Sequence, residues 1–248
     1  MFNYSAPALS LKGKVILVTG AGDGIGRSAA LAYAQLGATV ILLGRNLDKL
    51  NAVYDQIEAL NAPQAAIFPL NLETASEQSY IELTDIIDQE FGVLDGLLHN
   101  AALLGMRTPI ENYDPITWEQ VMKVNASAPF HLTQSLLPLL HRSKNASIIF
   151  TSSSVGKIGK AYWGAYSVSK FAIQGMMEIL ADELENTSNI RSNCINPGAT
   201  RTAMRAAAYP GEQPENNPTP EEIMPAYLYL MSDDSLDING QTINAQQK

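Results

Sequence analysis

The chain is poor in residues that staple a fold, and it has no stretch suited to spanning a membrane. One cysteine, Cys194, stands among 248 residues, so no disulfide can form within the chain, and a reducing cytoplasm is the natural setting. It lies in the run RSNCIN and reads as a packed core residue rather than a nucleophile. No run approaches the roughly 20 apolar residues of a membrane span. The opening MFNYSAPALSLKGK lacks the basic start and apolar stretch of a secretory signal. Positive charge is scarce: 16 Lys and Arg face 25 Asp and Glu, a formal net charge of −9, with no basic tract. That balance argues against a nucleic-acid partner. What the chain does have is apolar residues, 46% of the total, enough for one large core in a single domain spanning 1–248.

Strand-like and helix-like segments alternate along it. KVILVT (14–19), TVILL (39–43), AAIFPL (65–70), LDGLLHN (94–100), SIIFT (147–151), RSNCIN (191–196) and QTINA (241–245) read as strands. Pro69 suggests an edge or a strand end for the third. Helices are expected from Arg27 to a C-terminal glycine at Gly37, then over 46–60, 75–91, 115–140 and 164–186. Repeated β-α-β units imply an α/β, doubly wound parallel sheet with helices on both faces and right-handed crossovers. The segment 206–220, AAAYPGEQPENNPTP, is too rich in proline and asparagine for a helix and has the length of a mobile lid.

The first strand runs into TGAGDGIG (19–26). The GxGxxG dinucleotide fingerprint is absent; GxxxGxG is present instead, through Gly20, Gly24 and Gly26. Its place between a buried strand and a helix suits pyrophosphate binding, because glycine lets backbone N–H groups approach and the helix terminus is positive. About 20 residues on, an NAD site commonly offers an acid to the ribose. Here strand two ends LLGRN, with Gly44 at that point and Arg45 beside it. An arginine can pair with a 2′-phosphate, which favours NADP(H) over NAD(H).

GAYSVSK (164–170) sets Tyr166 four residues before Lys170, on one helix face. Spacing alone fits a surface pair as well as a catalytic one. Together with TGAGDGIG, LDGLLHNAA (94–102), VMKVN (121–125), FTSSSVG (150–156) and NPGATRT (196–202), however, it resembles the short-chain dehydrogenase/reductase family over essentially the whole chain. The resemblance implies a Rossmann-type seven-stranded sheet, a dimer or tetramer of identical chains, and hydride transfer between a nicotinamide cofactor and a small carbonyl or alcohol substrate. It assigns catalytic positions to Asn125, Ser153, Tyr166 and Lys170. Ser152 and Ser154 share the chemistry of Ser153, and the choice rests on register. Around the pyrophosphate it implies Gly20, Gly24, Ile25 and Gly26, with Asp23 in the same loop. Asn71 and Leu72 fall at the adenine, Asn71 where aspartate is usual, and Asn100 and Ala101 flank the ribose. Pro197, Gly198, Thr200 and Thr202 fall at the nicotinamide end, where Thr202 would bond the carboxamide.

The chemistry has a physical rationale. An alkoxide formed by hydride transfer needs a proton, and a free phenol at about pKa 10 gives one up reluctantly at neutral pH. A cation one turn away should lower that pKa. Lys170 should also reach the nicotinamide ribose, Ser153 should hold the substrate oxygen, and Asn125 should anchor a water linking Lys170 to solvent. Leu103–Arg107, Lys157–Tyr162 and the 203–220 segment should bound the substrate pocket, with Met106, Arg107, Lys157, Ile158, Lys160, Arg205 and Tyr209 among its side chains.

The chain departs from the family pattern in places. HNAA replaces NNAG, so a left-handed backbone at Ala102 would be strained, and His99 reads as a packed strand-end residue. The usual VDGG near the C-terminus is missing, and with it a customary contact between subunits. Enoyl reductases resemble a wider YxxxxxxK spacing, but the residue seven before Lys170 is Trp163. A cofactor-binding sensor with little turnover is the reading from a different class, and the intact four-residue set argues against it.

Overall fold

The computed structural model describes residues 1–246, so the last two residues of the expected domain lie outside it. Seven strands are present: β1 (Val15–Thr19), β2 (Thr39–Gly44), β3 (Ala66–Pro69), β4 (Gly96–His99), β5 (Ala146–Thr151), β6 (Ile190–Asn196) and β7 (Thr242–Asn244). They form one sheet in the order β3-β2-β1-β4-β5-β6-β7, every pair parallel. β3, the strand ending in Pro69, lies at an edge as expected. The chain winds outward from β1 and then returns to lay β4 on the other side of β1. That reversal opens a crevice at the C-terminal ends of β1 and β4, where open α/β sheets bind their ligands.

Continuous apolar strands suit a sheet covered on both sides. Along β1, Ile16 and Val18 face one core with residues of α1 (Gly24–Gln35), α2 (Leu47–Ala59) and α8 (Met224–Met231). Val15 and Leu17 face the other, with residues of α3 (Glu77–Glu90), α5 (Ala128–Leu140) and α6 (Gly164–Leu184). The strand's period of two feeds both cores at once. Cys194 is fully buried in the second of them.

Three stretches differ from the sequence expectation. The long helix over 115–140 is interrupted: α4 (Pro115–Met122) and α5 are joined by a π-helical turn, Lys123–Ser127, in which Ala128 N–H reaches back to Lys123 O. Asn125 sits at its centre. Second, α8 was not expected. Its sequence, MPAYLYLM, is apolar on all sides, because it is packed beneath the sheet, and therefore lacks the two-faced pattern that marks a surface helix. Third, the 206–220 segment is more ordered than its composition suggests. It begins within α7 (Ala203–Ala208) and continues through a 3-10 turn at Pro214–Asn216. Two arginines hold it. Arg201 donates to the carbonyls of Pro214, Glu215 and Asn217, and Arg205 makes a paired contact with Glu212 at 2.6 and 2.7 Å.

Candidate active site

The crevice is knitted from below by Thr19, the buried last residue of β1. Its hydroxyl donates to Leu98 O at 3.2 Å and accepts from the N–H groups of Asn100 and Ala101 at 2.9 and 3.0 Å. This draws the end of β4 under the glycine loop. Gly20 has φ +67° and Gly24 φ +50°, which only glycine adopts without strain. Gly26 has another reason to be glycine: a Cβ there would lie 2.2 Å from Gly20 O and 2.6 Å from Asn100 Nδ2. It seats α1 against the strand end rather than lining the crevice. Asp23 caps α1, accepting from Gly24 N–H at 2.7 Å. Its carboxylate also meets Lys49 Nζ at 2.5 Å, and that hydrogen bond, the largest influence on it, holds its pKa below the ordinary value.

Above this floor runs a cleft of about 570 Å³. It brings together Gly20, Asp23, Gly24, Ile25, Arg45, Asn71, Leu72, Asn100, Ala101, Ser153, Tyr166, Lys170, Pro197, Gly198, Thr200 and Thr202. Of the catalytic and cofactor positions expected from the sequence, only Gly26 and Asn125 do not line it, and both support it from behind. The volume lies in the range of cofactor and ligand sites. The glycine cradle fits a dinucleotide, since Gly20, Gly22 and Gly24 line the cleft with no side chain to keep a pyrophosphate from the backbone.

At the far end, the Arg45 side chain is mostly exposed, and Glu73 approaches it only to 4.0 Å. Asn71 Oδ1 accepts from Glu73 N–H at 3.1 Å, which leaves a second lone pair for a ligand. At the near end, Thr200 donates to Pro197 O at 3.2 Å, and Thr202 caps α7 by accepting from Arg205 N–H at 3.1 Å. The loop is gripped from the C-terminal side. Gln246 Nε2 donates to the carbonyls of Pro197 and Ala199, each at 2.8 Å.

Ser153 is the half-buried member of its triplet. Ser152 is buried with no partner for its hydroxyl among the described residues, and Ser154 is exposed and outside the cleft. Tyr166, on the first turn of α6, packs with Val155, Trp163 and Ala208. Lys170 is buried, donates to Thr151 O at 2.7 Å, and holds its ammonium 5.4 Å from the centre of the Tyr166 ring.

The expected lowering of the phenol pKa is not what this geometry gives. Burial pushes Tyr166 up to about 12, with a hydrogen bond to Ser153 pulling the other way. Burial also brings Lys170 down to about 8. Desolvation penalises both charged forms, and Lys170 turns its donor to the Thr151 carbonyl rather than to the phenol.

Asn125 is buried behind the cleft. Its Oδ1 accepts from Leu103 N–H at 2.7 Å, and its Nδ2 donates to Leu103 O at 2.9 Å and Ser169 Oγ at 3.0 Å. The side chain thus ties the loop after β4 to α6 and leaves no donor free for a water. Ala102 is not among the non-glycine residues with positive φ, so the loss of glycine there carries no strain. His99 is packed as expected. It stacks on Phe150 at 4.7 Å, its Nε2 lies 2.9 Å from Thr133 Oγ1, and burial lowers its pKa to about 3.

Of the expected pocket walls, Leu103, Leu104, Ala203, Met204, Arg205 and Ala208 line the cleft, but Met106, Arg107, Tyr209 and the 157–162 segment do not; Trp163 lines it instead, with Arg107 and Tyr209 packed against its ring. Thr19, Thr151, Ser169 and Gln246 were not singled out in the sequence. Each acts through contacts with distant residues and carries no local signal, except that Thr19 stands beside the glycine run. Among the described residues there is no cluster of metal-ligating side chains, and no helix is long and apolar enough to cross a membrane.

The glycine cradle at the β1–β4 reversal, with serine, tyrosine and lysine converging at its other end, defines a dinucleotide-dependent oxidoreductase scaffold. Residues 14–213 match the profile of the short chain dehydrogenase family, and the chain belongs to that family. It is 52% identical to the uncharacterized oxidoreductase YciK of Escherichia coli over 236 residues, 95% of this chain and 93% of YciK. It is 31% identical to the 3-oxoacyl-[acyl-carrier-protein] reductase FabG of Thermotoga maritima, over 95% of this chain and 97% of FabG. Among solved structures, a Pseudomonas syringae chain described as a short chain dehydrogenase superposes with a TM-score of 0.98 at 60% identity, over 99% of this chain and 100% of that one. A Shigella flexneri short chain dehydrogenase complexed with NADP superposes with a TM-score of 0.95 at 51% identity, over 97% of this chain and 100% of that one.

Proposed function

We propose that the chain is an NADP(H)-dependent oxidoreductase acting on a small carbonyl or alcohol substrate, with Tyr166 as general acid and base. The observation that carries this reading is the convergence of Ser153, Tyr166 and Lys170 on one end of a cleft whose other end is a glycine cradle. NADP(H) rather than NAD(H) is supported by Arg45 beside Gly44 and by the NADP bound in the Shigella flexneri relative. Bound NADPH would supply the hydride. The Ser153 hydroxyl would hold the carbonyl oxygen, and Tyr166 would pass it the proton. A phenol at about 12 keeps that proton until the oxygen beside it gains charge. Lys170, on the next turn, would stabilise the phenolate left behind and reach the cofactor ribose. Asn125 would serve by position, holding the Leu103 loop and α6 in register.

Loss of NADPH absorbance against a panel of aldehydes and ketones tests the reading. Tyr166→Phe is expected to lower kcat by about 10²–10⁴-fold, the usual contribution of a positioned acid. If neither Tyr166→Phe nor Lys170→Ala altered turnover, the reading would be wrong.

The same reading includes a cytoplasmic protein that assembles with copies of itself. Val168, Phe171 and Ile179 lie exposed along one face of α6, a stripe that self-association would cover. Light scattering on the purified chain would detect a monomer if that is mistaken.

A further inference from the structure

The molecule is acidic overall, yet its charge reverses at the catalytic end of the cleft. Three segments meet there: residues 100–110 after β4, 151–163 between β5 and α6, and 197–211 through α7. They contain Arg107, Lys157, Lys160, Arg201 and Arg205 and no Asp or Glu. Two of these cations are already engaged, Arg201 by backbone carbonyls and Arg205 by Glu212. Arg107 has no carboxylate partner among the described residues. Its guanidinium lies 4.7 Å from the Trp163 ring and 4.7 Å from the Tyr209 ring, with one N–H directed to Ala208 O. The two rings lie side by side with centres 5.9 Å apart, so the guanidinium rests against both and keeps its other N–H groups for a planar acceptor. Trp163 joins this cation to the chemistry, since its ring centre is 5.6 Å from that of Tyr166. One indole therefore separates the proton donor from an uncompensated arginine. The walls between them, Leu104, Met204 and Ala208, are apolar.

We infer that the substrate is an anionic carbonyl compound, whose flat apolar body lies along Trp163 and whose carboxylate is held by Arg107. The inference rests on the oxidoreductase reading above and makes Arg107 a specificity-determining residue. The carboxylate takes no part in the transfer: hydride reaches the carbonyl carbon, the Tyr166 proton reaches its oxygen, and the acid group leaves unchanged. A carboxylate meeting an oriented guanidinium gains a charge-assisted bidentate contact that an ester cannot make.

The test compares para-carboxybenzaldehyde with its methyl ester as NADPH-dependent substrates, and separately measures benzoate binding to the protein with NADP+ by calorimetry. The acid should exceed the ester in kcat/KM by at least about tenfold. Arg107→Gln should collapse that ratio towards one, chiefly through KM, and Arg107→Lys should restore part of it. Benzoate should bind Arg107→Gln at least about tenfold more weakly than wild type. Equal use of acid and ester by the wild-type protein would overturn the inference, as would benzoate binding that survives Arg107→Gln. The two readings fail separately. Tyr166-dependent reduction without charge preference sinks only the anionic substrate, whereas Arg107-dependent benzoate binding without any turnover sinks only the oxidoreductase.

Discussion

The two ends of the cleft are made of different materials. At the cradle end the walls are backbone, with Gly20 brought against Asn100 and Ala101, Gly26 packed behind it, and the Thr19 hydroxyl knitting the strand ends. At the Tyr166 end the walls are bulky side chains, Trp163, Tyr166 and Met204, with Arg107 against the Trp163 ring. A backbone wall tolerates little change, because a Cβ at Gly20 or Gly26 meets main chain at 3.0 or 2.2 Å. A side-chain wall can be rebuilt residue by residue while the sheet beneath stays the same. A scaffold of this kind can change its substrate and keep its cofactor.

The sharpest way to break that comparison is Gly26→Ala. Its Cβ would sit 2.2 Å from a backbone oxygen, so α1 must move off the strand end. Overpacking of this kind costs about 1–3 kcal/mol or more, and NADPH affinity is expected to fall steeply in a fluorescence titration. Gly175→Ala, on the exposed face of α6 with nothing within 4 Å of the new Cβ, should instead stabilise the helix. Helix propensity puts that gain at about 1 kcal/mol or less. Asn125→Ala comes next. It strands the N–H and C=O of Leu103 and removes a bond to Ser169. A cost of about 2–3 kcal/mol is expected in urea unfolding. An unchanged midpoint would mean that this tie does not hold the two ends together.

His99 gives a smaller effect, beneath the floor the two ends share. Its native pKa of about 3 lies below the ordinary 6.5. Below that ordinary value the unfolded chain binds a proton that the native state refuses. Stability should therefore be complete above it and fall with acid, by about 2 kcal/mol near pH 5. His99→Gln should flatten the acid limb measured by urea unfolding. A change confined to cofactor choice is expected from Arg45→Asp at the exposed rim, where screening is strong. The preference for NADPH over NADH in paired titrations should drop by about tenfold or more, and a preference left intact would remove Arg45 from the site.

Legibility in the sequence followed the same division. Glycines whose spacing answers a backbone need, strands of continuous apolar residues, and Tyr166 and Lys170 one turn apart are all local patterns. The sheet and most residues of the cleft could be read from them. The π turn at Asn125 could not, because what stabilises it is Leu103 and Ser169, 22 and 44 residues away. Helix α8 escaped for the opposite reason, having no polar face to mark its period. The pKa of Tyr166 went the wrong way because spacing reveals the neighbouring cation but not the loss of water around both groups. Gln246 acts across 47 residues on Ala199 and only the fold introduces it, while Arg107, expected near the pocket, is joined to Ala208, 101 residues on, by the fold alone.

The buried amine of Lys170 has a calorimetric consequence. With a pKa of about 8 in the open cleft, it is part neutral in mildly alkaline solution. An anionic ligand settling beside it will favour the ammonium and draw a proton from the buffer. The measured heat of NADPH binding should therefore change with the ionisation enthalpy of the buffer near that pH, and the dependence should vanish in Lys170→Ala. The enzyme's affinity for its cofactor would then be a reading of solution acidity, set by one side chain that never leaves the interior.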